Sequence, residues 1–160
     1  MKEFHYIKAI ALLGVIGLVC ACQVVGNAQC LEKVSRSTNK KEYYQIVQLV
    51  GKKEFLSLSR IGEEKIFTYH NEKVDLIFHV QMFTEIRFTT KKETFSLFTT
   101  TSDRNFWNKS FMLSSPVTPQ ELEKMKGTLK IEIILPEERK IYTFGTKSNQ
   151  ILNKALACVL

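Results

Sequence analysis

What most constrains the fold of this chain is a texture that begins at residue 43: short apolar runs, about ten residues apart, separated by charged turns. Residues 43–50, 54–60 and 65–70 read as strands. Between them lie the turns Gly51-Lys52-Lys53, Ile61-Gly62-Glu63-Glu64 and Asn71-Glu72-Lys73. This spacing belongs to an antiparallel meander. Residues 74–82 alternate most clearly, with Val74, Leu76, Phe78, Val80 and Met82 on one face and Asp75, His79 and Gln81 on the other. Successive strand side chains point to opposite sides, so this pattern predicts one buried and one solvated face, broken only by Ile77. Residues 85–90 and 94–101 then predict a hairpin around Lys91-Lys92-Glu93, with Ile86, Phe88, Phe95 and Leu97 as core candidates.

The least regular stretch is 102–110, Ser-Asp-Arg-Asn-Phe-Trp-Asn-Lys-Ser, which holds the only tryptophan. Arg104, Phe106, Trp107 and Lys109 make it a candidate contact loop, because an aromatic pair between cations can stack on a ligand. The competing role for Phe106 and Trp107 is to plug one end of a β-sandwich. Thr118-Pro119-Gln120-Glu121 is a helix start, with a threonine N-cap, proline at the first helical position and glutamate completing a capping box. Gly127 closes that helix at about residues 119–126, with Leu122 and Met125 inward. Residues 128–135 form a second clear strand, Leu129, Ile131, Ile133 and Leu135 opposed by Lys130 and Glu132. Pro136-Glu137-Glu138-Arg139 turns it into residues 140–145. Ser148 or Asn149 then caps a last helix whose apolar face is Ile151, Leu152, Ala155 and Leu156. The expected fold is mainly β: an antiparallel β-sandwich or barrel of about nine strands with two short helices, following an N-terminal signal segment.

That segment has two parts. Residues 1–8 carry Lys2, Glu3 and Lys8, and residues 9–19 are continuously apolar, the length of a signal-peptide core and short of the ~20 residues a spanning helix needs. Continuing through Val25, past Gln23, leaves an uncleaved anchor open. Val19-Cys20-Ala21-Cys22 resembles the lipobox of bacterial lipoproteins, departing from it at Cys20. The resemblance implies cleavage before Cys22, lipid attachment at that cysteine, and a membrane-held protein. In that family, Gln23 in the next position usually accompanies sorting to the outer membrane. The rival signal is Gly26-Asn27-Ala28, which would release a soluble chain from Gln29. The division expected is a signal peptide over 1–21, a tether over 22–42 and a β-domain over 43–160.

The chain has four cysteines, and either cleavage leaves the pair Cys30 and Cys158. In an oxidising compartment an even remainder predicts a disulfide, here joining the two ends of the domain; two buried free thiols are the alternative. The formal charge is +7, and removal of residues 1–21, with Lys2, Lys8 and Glu3, leaves +6. A basic exported surface favours anionic envelope components, among them lipopolysaccharide, phospholipid head groups and acidic glycans, or another envelope protein. Nothing points to nucleic acid. The same lysines also serve simply to keep a β-rich surface soluble.

No residue pattern names a reaction. His70 sits beside a turn, and His79 lies about 13 Å along its strand from Asp75, too far to pair without help from another strand. Glu63-Glu64 and Glu137-Glu138 fall in turns. There is no His-x-x-x-His, no Gly-x-Ser-x-Gly and no phosphate loop. Catalytic residues, metal ligands and cofactors are therefore expected to be none. The last third, with Gly127-Thr128-Leu129-Lys130-Ile131-Glu132-Ile133, then Tyr142-Thr143-Phe144-Gly145, then the segment from Gln150 to Cys158, resembles the ending of exported β-sandwich families. These are the type VI secretion accessory lipoproteins and, more loosely, the invasion-associated locus B proteins, and the likeness implies a secretion-system or host-interaction role. The earlier cysteines and tryptophans of those families have no counterparts here. The function expected is a non-enzymatic envelope lipoprotein acting as a binding or scaffold module, with a soluble secreted factor as the alternative.

Overall fold

Gly62 takes a φ of +62°, a conformation that side-chain-bearing residues resist, and so closes a two-residue hairpin turn between Ile61 and Glu64. The strands are β3 (Glu54–Ile61) and β4 (Glu64–Asn71), with β2 (Lys41–Val50) before them. The computed structural model describes residues 30–35, 38–72, 81–105 and 109–160. Alternation carries Leu56, Leu58, Phe67 and Tyr69 to the same side, where all four are fully buried. These are the strands expected from the apolar runs at 43–50, 54–60 and 65–70.

The protein is mainly β, two antiparallel sheets with two helices, arranged as a sandwich. The remaining strands are β1 (Leu31–Val34), β5 (Glu85–Thr90), β6 (Thr94–Phe98), β7 (Thr101–Asn105), β8 (Ser110–Pro116), β9 (Thr128–Ile134) and β10 (Arg139–Thr143). One sheet has the order β1-β2-β3-β4-β8-β7, the other β10-β9-β5-β6. Phe67 of the first sheet meets Phe88 of the second edge to face, 5.5 Å between ring centroids. Helix α2 (Thr146–Val159) packs on β2 and β3 of the wider sheet. It buries Leu152, Ala155, Leu156 and Val159. Helix α1 (Pro119–Lys124) carries the expected capping box: Thr118 Oγ1 accepts from the Glu121 amide and the Thr118 amide donates to the Glu121 carboxylate. Leu122 and Met125 are fully buried beneath it, and Gly127 follows at φ +73°.

Several expectations are corrected. β1 pairs with residues 41–44 of β2, so part of the segment read as a tether belongs to the sheet. The strand expected over 94–101 is two: β6 ends at Phe98, and the chain crosses between sheets where the Thr99 amide bonds Thr84 and the Thr100 amide bonds Ser114. Leu129 is 39 % exposed instead of buried. The register slips there, Thr89 facing Lys130 and Thr90 facing Thr128, so Leu129 is the extra residue of a bulge. Helix α2 starts at Thr146 after Gly145, and Ser148 donates back to the Gly145 carbonyl instead of capping. Its Ile151 is exposed. The alternating strand expected over 74–82 lies outside the described residues, except for Gln81 and Met82, which are in a coil and turn.

Candidate contact surface

The expected contact loop is part strand. Ser102 to Asn105 lie in β7, the outer strand of the six-stranded sheet, and Arg104 pairs with Phe111 of β8. An edge strand with solvent on both faces tolerates Thr-Ser-Asp-Arg-Asn, because β8 supplies its backbone hydrogen bonds. Lys109 stands in the turn that follows, at φ +52°. Phe106 and Trp107 lie outside the described residues, as do His79 and Asp75. The disulfide is present: Cys30 and Cys158 are bonded, with Cα atoms 5.5 Å apart and a separation of 128 residues. Cys22 lies outside the described residues.

The register of the six-stranded sheet assembles a surface that the linear sequence hides. Ile46, Ser57, Thr68, Ser114 and Thr101 form one cross-strand row on the face turned away from the core. The next row is Gln48, Phe55, His70, Met112 and Asp103. Thr68 and Ser114 share a 3.1 Å hydroxyl hydrogen bond, and Phe55 and His70 stack with ring centroids 4.4 Å apart. His70 Nε2 lies 3.6 Å from the Glu72 carboxylate, while its buried Nδ1 has no hydrogen-bond partner. Small hydroxyls flanked by an aromatic pair and Met112 make a shallow surface suited to contact with another molecule. Beside it is a hollow of about 320 Å³ reaching Ile66, Thr101 and Pro116. A signal for this pairing was available: once Gly62 and Glu63 are the turn, residues 55 and 70 must face each other.

Inside the sandwich, one polar chain crosses the apolar core. Asn71 Nδ2 donates to the Tyr69 hydroxyl at 2.6 Å, the Tyr69 and Tyr142 hydroxyls are 2.6 Å apart, and Tyr142 donates to Glu54 at 2.6 Å. Glu54, Asn71, Tyr69 and Tyr142 are all buried. Burial pushes the Tyr69 hydroxyl up to about 12, and burial, Tyr69 and Glu54 together raise that of Tyr142. Both phenols therefore stay protonated and act as fixed hydrogen-bond bridges between the sheets. Among the described residues, no group of three or more His, Cys, Asp or Glu side chains is arranged to hold a metal ion, and no helix is long and apolar enough to cross a membrane. No protein-family model, no curated protein and no solved structure matches this chain.

Proposed function

We propose that the protein is a non-enzymatic binding or scaffold module of the bacterial envelope, exported by its first 21 residues and held to the membrane by a lipid on Cys22. The observation that carries this reading is the Cys30–Cys158 disulfide. Disulfides persist in exported proteins and are rare where cytosolic thiol systems operate, so a bond tying together both ends of a domain supports export. The outward face around Phe55, His70 and Met112, with the adjoining edge strand β7, supports presentation of a rigid surface to another envelope component.

The test is the intact mass of the protein from its native envelope, before and after reduction. A chain beginning at Cys22 with a diacyl or triacyl increment is expected, gaining about two mass units on reduction as the disulfide takes up hydrogen. A lipid-free chain beginning at Gln29 overturns the anchor and favours a released factor of host-interaction or secretion-accessory type. No gain on reduction removes the argument for export.

A further inference from the structure

We infer that the cleft between the β5–β6 hairpin and the α1–β9 turn is a binding site for a phosphorylated saccharide. The cleft is an open hollow of about 640 Å³, within the usual size of small-ligand sites. Lys91 and Lys92 form one rim, at a hairpin tip stiffened by Thr90, whose Oγ1 accepts from the amides of Lys92 and Glu93. Lys124 and Lys126 form the other. Two of these four cations are already matched: Lys124 lies 3.5 Å from Glu93, and Lys126 2.7 Å from Glu123. Lys91 and Lys92 have no acidic partner among the described residues, so the site carries an excess of positive charge on an ordered turn.

The floor is of different chemistry. Leu129, pushed outward by the bulge in β9, supplies an apolar surface. Asn149 Nδ2 donates to the Phe144 carbonyl at 3.3 Å, which orients the amide and leaves Oδ1 without a donor. Phosphates complement the lysines and the apolar face of a sugar ring complements Leu129; Asn149 Oδ1, buried beneath the surface, takes no part in the contact. A simple inorganic anion would use only the lysines. The ligand class rests on the envelope reading for its source, a glycolipid headgroup or a soluble phosphosugar, whereas the geometry stands independently of it.

The experiment is a titration of the disulfide-intact protein with a hexose bisphosphate, followed by amide NMR, with the neutral hexose and inorganic phosphate as comparisons. Shifts are expected at Lys91, Lys92, Gly127 and Leu129. Lys91→Ala with Lys92→Ala is expected to weaken binding about tenfold, the loss of two charge contacts. Lys52→Ala with Lys53→Ala removes the same charge from the β2–β3 turn and is expected to change binding less than about twofold. Equal weakening in the two double variants, or equal affinity for inorganic phosphate, overturns the site. Binding only to vesicles carrying a phosphorylated glycolipid, lost in the Lys91/Lys92 variant alone, supports it with a lipid source; binding to the free sugar supports a soluble one. If the mass measurement finds no lipid on Cys22 while the cleft still binds, the anchor falls and the site stands.

Discussion

The phenol of Tyr142, on the four-stranded sheet, donates a 2.6 Å hydrogen bond to the Glu54 carboxylate on the six-stranded one. Both groups are buried, and the carboxylate is the acceptor at the end of the chain of hydroxyls that runs through Tyr69 and Tyr142. Glu54→Leu is therefore expected to lower stability by about 1–3 kcal/mol despite its added apolar area, because Tyr142 loses its acceptor. Denaturant unfolding measures it, and an unchanged midpoint would refute the role assigned to the pair.

The same cluster predicts alkaline sensitivity. Below about pH 10, folded and unfolded chains both keep the Tyr69 proton and stability is independent of it. Above that, the unfolded chain ionises while the folded one, with its hydroxyl at about 12, does not. Stability should fall by roughly 2–3 kcal/mol between about pH 10 and 12. Melting across that window should show the drop, and the Tyr69→Phe, Tyr142→Phe double variant should flatten it.

Reduction of the Cys30–Cys158 bond, or Cys158→Ser, should lower stability by up to about 4–5 kcal/mol, the loop-closure figure for a separation of 128 residues. Hydrogen exchange should accelerate first in β1, in residues 41–44 of β2 and in the last turn of α2. Uniform acceleration would mean instead that the bond acts only on the unfolded chain.

Helix α2 offers a test of which face it buries. Leu156→Ala should cost about 2–5 kcal/mol, since Leu156 is fully buried. Ile151→Ala should cost no more than about 0.5 kcal/mol, since Ile151 is exposed. Comparable losses would place the helix differently.

At the sheet surface, the Ser96 hydroxyl donates to Glu85 at 2.7 Å, and Arg87 pairs with the same carboxylate at 2.9 Å. Chiefly through Ser96, and then through Arg87, the Glu85 carboxyl is held below its ordinary value. Its contribution to stability is present above the ordinary carboxylate range and lost as pH falls through the lowered value. A carboxyl NMR titration should place Glu85 below that range in the parent and higher in Ser96→Ala.

Much of the architecture was legible because local chemistry and burial agreed. Thr118, Pro119, Glu121 and Gly127 specify a short helix almost without tertiary help, and Ile131 with Ile133 announces a buried strand face. What escaped notice depends on partners distant in sequence. β7 has no apolar face to betray it, since an edge strand needs only the backbone of β8. β8 carries its signal in two residues, Phe111 and Leu113, followed by serines that blur the alternation. Leu129 was misplaced because the bulge that turns it outward arises from pairing with β5. The buried carboxylate of Glu54 was invisible for the same reason: its acceptor role depends on Tyr142, 88 residues away. The cleft lysines are evident in sequence as charges, but only the fold brings the hairpin and the α1–β9 turn together.

The bond between Cys30 and Cys158 also decides where mechanical load travels. Tension applied between the two ends of the chain passes directly from residue 30 to residue 158, so the 127 residues between them are bypassed and bear none of it. A lipid on Cys22 would leave only eight residues of extensible line to Cys30, a reach of about 26 Å at full extension. On such a leash the domain would ride close to its membrane, and a pull applied beyond residue 158 would reach the anchor through a covalent link before any strand had to unzip.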